Sequence, residues 1–472
     1  MIVDTLVYTV LPRLSFVASL FILPFISPYL TLEDYGIYGQ LISYIALFQI
    51  FIGLGQVVVM QNSFFTHKEN YKLVWRRSFA IMCFAGLLSS IVLAFILKVT
   101  VFKNSDDNFL PTIAATTIYL ILNPLDSVVV NYYTLKEKSL PYAYGMAFVG
   151  VVTTVSMLIT IKYLKMGYMG WIISLPLNAV FTNIVFFKKI YLKEKLYPQF
   201  NVGKKFLIKA LRVGLPLTPH QLSLYVLGLS DRILLSYFNV SVKQIGFYSQ
   251  GYNLGSQGGV VVNGVFQAFS KRIQEAFRGT EKVHRGFIRK AIIRLPVTIS
   301  LILFLAGIWS KEGFSFLFRN PSLQEAYPIT ILVLSSYMFW SIYSFFTYPL
   351  SIKGQTFSIS KITLLAAAFN LVGNFVFIPH YGIWGALVVT YLSYMIFGFA
   401  GLLNKENRTY LNRYINVFPL SALLLVINVM LFVIAYSIKD EGVIVKIGLT
   451  VFILCFSLFI FKKQNSNVPS VF

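Results

Sequence analysis

GIYGQ at residues 36–40 returns as GFYSQ at residues 246–250, so Gly36, Tyr38 and Gln40 recur 210 positions later as Gly246, Tyr248 and Gln250. A second pair, Met166-Gly167-Tyr168-Met169-Gly170 and Tyr381-Gly382-Ile383-Trp384-Gly385, repeats its two glycines at an offset of 215. Two echoes at nearly one spacing read as an internal duplication, against the plainer reading that Gly-x-Tyr is common turn chemistry where a chain enters a bilayer. Each motif stands where a short loop leads into an apolar stretch, so the stretches around the motifs define the repeating unit.

Those stretches fill the chain. Of 472 residues, 57% are hydrophobic and only 12% charged, too apolar for a water-facing surface. A spanning helix needs roughly 20 mostly apolar residues. Windows of that kind fall near 6–28, 37–60, 78–97, 109–133, 141–161 and 167–187, and, after a basic break, near 207–235, 246–269, 289–310, 326–350, 356–378, 382–403, 415–437 and 443–461. The spacing predicts an all-α polytopic membrane protein of about 14 helices, with 12 as the alternative count. The motifs open the second and eighth helices and the sixth and twelfth, so each repeat holds six. An even number preserves orientation, and the expected arrangement is two pseudo-two-fold-related lobes that rock about a central substrate site. The expected organisation is a first lobe at 1–190, a basic cytoplasmic linker at 191–206, a second lobe at 207–403, and two accessory helices with a short tail at 404–472. The opening MIVDTLVYTVLPRLSF has no basic leader or cleavage site and is expected to be retained as the first helix.

The formal charge of +23 demands a partner or a topology. With the N-terminus cytoplasmic, alternate loops hold 27 of the 40 Lys and Arg, and the opposite loops hold 8. The positive-inside rule therefore places both termini in the cytoplasm and assigns the excess to topology and contact with anionic membrane lipids. Short basic loops with no reading module argue against nucleic acid. Cys83 and Cys455 lie in apolar windows, so neither a disulfide nor a metal site is expected.

The stretch from Gly214-Leu215-Pro216-Leu217 through Ser230-Asp231-Arg232-Ile233 to Ile245-Gly246-Phe247-Tyr248 resembles the opening of the second lobe in bacterial polysaccharide transporters. So does Lys353–Tyr394, with Asn370 and Asn374 ahead of Pro379 and the Gly382/Gly385 turn, and LEDYGIYG at residues 32–39 is similar to the family's first external loop. The resemblance implies an O-antigen flippase of the multidrug/oligosaccharidyl-lipid/polysaccharide exporter superfamily, MATE-like in fold and seated in the inner membrane. Its implied cargo is undecaprenyl-pyrophosphate-linked oligosaccharide, its implied partners a polysaccharide polymerase and chain-length machinery, and its implied working form a monomer. An ion-coupled drug exporter of the same superfamily and, less favoured, a membrane polymerase are the alternatives.

Such a cargo has an anionic linkage, and guanidinium pairs bidentately with phosphate oxygens without losing its charge. Arg13, Arg212, Arg232 and Arg294 fall within the apolar windows and are the pyrophosphate-binding candidates, although Arg212 and Arg294 are close enough to helix ends to snorkel. Gln49, Gln56, Asn253, Gln257 and Gln267 stripe the second and eighth helices, as hydroxyl-rich sugars or interhelical bonds require. His220 and Asp231, eleven residues apart, share a helical face. Asp126, after Asn123-Pro124, and Asp231 are the candidates for a coupling proton or sodium ion, with pairing to an arginine as the structural reading of Asp126. The acidic pairs Glu33/Asp34, Asp106/Asp107 and Asp440/Glu441 read as solvated surface. No phosphate-binding loop or catalytic triad occurs, so no enzymatic activity and no other cofactor is expected.

Overall fold

The computed structural model describes residues 21–66, 70–103, 107–278 and 282–453, and among these every regular element is a helix. In chain order the main ones are α1 Leu32–Gly53, α2 Gln56–Thr66, α3 Tyr71–Val99, α4 Phe109–Leu122, α5 Pro124–Leu135, α6 Ser139–Leu158, α7 Tyr168–Phe187, α8 Lys204–Gly214 and α9 Thr218–Leu229. There follow α10 Asp231–Tyr237, α11 Val242–Gly255, α12 Gly258–Arg278, α13 Lys282–Ile308, α14 Ser310–Leu317, α15 Tyr327–Phe346, α16 Thr356–Phe399, α17 Lys405–Asn412 and α18 Val417–Ser437.

The surface identifies the solvent. Along α3, Phe84, Leu88, Ile91 and Phe95 recur every three or four residues and point outward, with Phe95 72% exposed, while Ser78, Ser89 and Ser90 are buried. An apolar outside and a small polar inside is the reverse of a water-soluble helix and suits hydrocarbon, where small residues let helices approach closely. Nine helical stretches among the described residues are long and apolar enough to cross a bilayer. One of them, Phe357–Leu403, has 47 residues, roughly 70 Å of helix, and Gly382 breaks its helical geometry, so it accounts for two windows.

Several predicted windows are not single helices. The second breaks at Leu54 and Gly55, which take φ values of 39° and 64°. The fourth breaks at Asn123-Pro124, since Pro124 has no N–H to continue the ladder. The seventh is divided by a turn at Leu215–Leu217 carrying Pro216, and the eighth between Gly255 and Gly258. In the other direction, the predicted loop at 270–288 is almost wholly helical, because α12 and α13 run on beyond the apolar windows. Hydropathy registers the lipid-facing part of a helix, whereas a polar extension stays helical if nothing breaks its hydrogen bonding.

Two compact units divide the chain and interleave along it. One gathers the described residues of Met1–Gln250, Leu317–Leu323 and Gln355–Val389; the other gathers those of Gly251–Phe316, Gln324–Gly354 and Thr390–Phe472. In the first, α3 packs on α1, α2 and α4, and α7 packs on α4 and α6. In the second, α13 packs on α12, α15 and α18. There Lys446, fully buried, pairs with Glu312 at 2.7 Å, and Asp440 binds Lys311 at 2.9 Å and the Tyr327 hydroxyl at 2.5 Å. The Tyr327 and Lys311 contacts hold the Asp440 carboxyl well below the usual carboxylate range.

The repeat is visible in the first unit. Thr31 accepts from the Asp34 N–H at 3.1 Å as the N-cap of α1, and Ser241, 210 residues on, accepts from the Gln244 N–H at 3.4 Å ahead of α11. The two copies also meet: a Cβ on Gly36 would stand 2.1 Å from the Val242 carbonyl oxygen, and one on Gly246 would stand 1.7 Å from that of Leu32. Residue 32 relates to 242 as 36 relates to 246, so the contact is reciprocal, as a local two-fold requires. Gly39 lies against Ser249, its own counterpart. Gly167 and Gly382 take nearly the same backbone conformation, φ 53° with ψ −134° and φ 54° with ψ −131°, which is open essentially to glycine.

Asp34 departs from the solvated reading of the acidic pairs. One carboxylate oxygen completes a capping box with Thr31, and the other accepts from the Tyr168 N–H at 2.8 Å, so one side chain caps α1 and holds the start of α7. Glu33 does remain exposed, with Lys243 3.5 Å away.

Candidate functional site

Asp231 and Arg232 open α10 in the first unit, and both side chains are buried, 0% and 1% exposed. A carboxylate and a guanidinium at this depth need partners, because an isolated charge in low dielectric costs several kcal/mol (roughly) after relaxation. The Tyr248 hydroxyl, from α11, donates to Asp231 Oδ2. Asn374 Nδ2, from α16, donates to Asp231 Oδ1 at 2.8 Å and to Asn370 Oδ1 at 3.0 Å. Arg232 Nη1 donates to the Gly228 carbonyl at 3.1 Å, and the guanidinium lies 5.6 Å from the centre of the Tyr248 ring. Three helices thus converge on one carboxylate, with both its oxygens accepting.

The helices fit together in register. His220 Nδ1 and Thr363 Oγ1 lie 3.1 Å apart, and Asp231 meets Asn374; each pair of partners is eleven residues further along both helices. Eleven residues are close to three turns, so α9–α10 and this half of α16 run side by side in the same direction and present one face each. The face shared by His220 and Asp231 is therefore turned to α16.

The cluster belongs to one copy of the repeat. At the 210 offset Asp231 and Arg232 correspond to Phe21 and Ile22, and at the 215 offset Asn370 and Asn374 correspond to Val155 and Ile159. Asp231, Arg232, Asn370 and Asn374 thus have apolar residues at the corresponding positions of the first motif copy, whereas Tyr248 has Tyr38 there.

The other candidates are dispersed. Arg13 lies outside the described residues. Arg212 is exposed on α8 with Lys205 and Lys209, and Arg294 is half-buried on α13 in the second unit. Gln49 Oε1 accepts from Asn123 Nδ2 at 3.2 Å, tying α1 to the α4–α5 break. Gln56 is buried, with Nε2 3.4 Å from the Leu54 carbonyl, at the break that follows α1. Asp126 Oδ1 is buried beside the Asn123-Pro124 break without a hydrogen-bond partner among the described residues. In the second unit, the Asn253 carbonyl accepts from Gln257 Nε2 at 3.1 Å at the α11–α12 break, and Gln267 is exposed on α12. Tyr248, Asn370 and Asn374 were not singled out as site residues from the sequence. Two amides four apart on an otherwise apolar helix were the available signal, since i and i+4 share a face.

Comparison with known proteins gives one account. Residues 2–270 match the family model described as polysaccharide biosynthesis protein. The Lsg locus putative protein 1 of Haemophilus influenzae is 22% identical over 423 residues, covering 83% of this chain and 97% of that protein. Among solved structures, the lipid II flippase MurJ in an inward closed conformation superposes with a TM-score of 0.65 at 12% identity, covering 93% of this chain and 98% of that one. The MATE transporter VcmN of Vibrio cholerae reaches 0.55 at 16% identity, covering 86% and 95%. At such identities the likeness establishes the fold, an all-α polytopic arrangement shared by MATE transporters and a lipid flippase.

Proposed function

Because this chain belongs to the polysaccharide biosynthesis protein family, a multi-pass membrane family, we propose that it is a flippase carrying undecaprenyl-pyrophosphate-linked oligosaccharide, an O-antigen or similar repeat unit, from the inner leaflet to the outer. The observation that carries this reading is the likeness to the lipid II flippase over nearly the full length of both chains, combined with that family membership. The protein sits in the inner membrane with both termini cytoplasmic, on the side favoured by the 27 to 8 charge asymmetry. It works by alternating access of two lobes, hands its cargo to a polymerase, and uses no ATP of its own.

The Asp231 cluster is the coupling element in this proposal. A proton arriving at Oδ1 turns an acceptor into a donor and opposes the Asn374 N–H already aimed there; a sodium ion competes with the same donor. Either event releases α16 from α10 locally, which ties the ion gradient to helix movement. Arg232 holds a permanent charge beside the switch and is the best-buried of the pyrophosphate candidates among the described residues.

Deletion of the gene is the test. Lipid-linked repeat units are expected to accumulate facing the cytoplasm, with surface polysaccharide lost and restored by the intact gene. Normal surface polysaccharide after deletion, with changed drug efflux instead, transfers the proposal to the ion-coupled exporter that the MATE fold also accommodates.

A further inference from the structure

The second unit contains a cavity of about 530 Å³ between the start of α13 and the α17–α18 junction. Arg289 and Arg413 stand at it, and Ile293, Leu420 and Leu423 form its apolar wall. None of its lining residues is acidic, and among the described residues neither arginine has a carboxylate partner. Arg413 is positioned by Tyr410, whose ring centre lies 5.6 Å from the guanidinium. Asn412 Oδ1 accepts from the Val417 N–H at 3.0 Å, so the turn leading into α18 is fixed at the mouth.

This end of α13 and α18 is the one that the charge asymmetry assigns to the cytoplasm. Beyond the cavity, Pro419, Leu423, Val426 and Met430 form an exposed stripe along α18, at the spacing of one helical face. Two cations at the interface, an apolar wall beneath them, and an apolar track running toward the bilayer centre match one kind of molecule, an amphiphile with an anionic head and a chain. The volume falls in the range of about 300–1,000 Å³ that holds a small ligand, room for a glycerophosphate head and the first methylenes and too little for a sugar repeat unit.

We propose that this cavity binds the phosphate headgroup of an anionic glycerophospholipid of the cytoplasmic leaflet, between Arg289 and Arg413, with an acyl chain laid along the Pro419–Met430 stripe. Guanidinium suits the headgroup because it presents paired donors to phosphate oxygens. A bound lipid anchors the α17–α18 junction to α13 on one side of the membrane. The inference is independent of the cargo, since it concerns bulk lipid and a surface of the second unit.

The test titrates the purified full chain in neutral detergent and follows its thermal unfolding. The probes are dioctanoyl phosphatidylglycerol, dioctanoyl phosphatidylcholine, farnesyl pyrophosphate and inorganic phosphate. Phosphatidylglycerol is expected to raise the midpoint saturably, and phosphatidylcholine and inorganic phosphate to leave it unchanged. Arg289→Gln combined with Arg413→Gln is expected to weaken the phosphatidylglycerol response at least tenfold. Leu423→Trp, which keeps both charges and fills the cavity, is expected to do the same, and provides the decisive variant if the double one fails to fold. Lys204→Gln with Lys205→Gln, on exposed α8, is expected to titrate as the unaltered chain. An equal response to phosphatidylcholine, a phosphatidylglycerol response untouched by Leu423→Trp, or a response to farnesyl pyrophosphate alone overturns the proposal.

Discussion

Asn374 donates one amide group to Asp231 at 2.8 Å and to Asn370 at 3.0 Å, so a single side chain joins the carboxylate of α10 to the helix opposite. Asn374→Leu removes both bonds from buried polar partners, at a cost of about 1–3 kcal/mol. Asp231→Asn retains the shape and removes the charge. The expected outcome is a folded Asp231→Asn protein at normal membrane level that fails to restore surface polysaccharide, and a less stable Asn374→Leu protein. Full complementation by Asp231→Asn removes the carboxylate from any coupling role.

The reciprocal contact of Gly36 and Gly246 predicts an asymmetry among glycines. Alanine at either position places a methyl against backbone carbonyl oxygen, which has no rotamer to change, so each substitution is expected to destabilise by about 1–3 kcal/mol or more. Gly53→Ala and Gly203→Ala meet nothing within 4 Å and are expected to fold at wild-type yield. Detergent-solubilised melting midpoints of the four variants measure the difference.

Gly167 and Gly382 share a backbone conformation but differ in surroundings. Gly382→Ala incurs the backbone strain alone, of order 1–3 kcal/mol, since its Cβ meets nothing within 4 Å. Gly167→Ala incurs the same strain and also places a methyl 2.3 Å from Asp34 Oδ1, the acceptor of the Tyr168 N–H. Gly167→Ala is therefore expected to be the more damaging of the two, and Asp34→Ala to relieve part of the difference. Equal melting points for the two alanine variants contradict this.

Glu194, seven residues past the end of α7, gives one pH dependence of stability. Burial by itself raises its carboxyl, but the Tyr132 hydroxyl at 2.8 Å and the ammonium groups of Lys189 and Lys72, each at 3.0 Å, outweigh it and bring the pKa down to about 2. A carboxyl depressed in the folded state contributes stability above its unfolded value of 4.5, and that contribution is lost as pH falls toward about 2. Glu194→Gln is expected to melt below wild type at pH 7, with the gap closing as pH drops from 4.5 toward 2. A gap that stays constant over that window places the effect in packing rather than charge.

Much of the architecture was legible because its causes are local or additive. Spans follow from hydropathy summed over about 20 residues. The repeat could be read from Gly36/Gly246 and Gly167/Gly382 because a close approach or a positive φ admits little besides glycine, so the geometry leaves its mark in the sequence. Helix breaks were less legible: Pro124 and Pro216 announce two of them and Gly55 marks a third, but the φ of 39° at Leu54 is one that leucine does not announce.

The sequence by itself determined that this chain is a multi-pass helical membrane protein, and it carries two motif echoes at nearly one spacing. Only the tertiary structure decided which polar residues meet. Asp231, Tyr248 and Asn374 are up to 143 residues apart, and although Tyr248 lies in a repeated motif and Asn374 pairs with Asn370 on one helical face, neither signal says that they meet at Asp231, or that Gln49 binds Asn123 instead. The physical reason is that a lipid-embedded polar group must find its partner on another helix, so its identity as site or staple is settled by packing across the bundle rather than by the residues beside it.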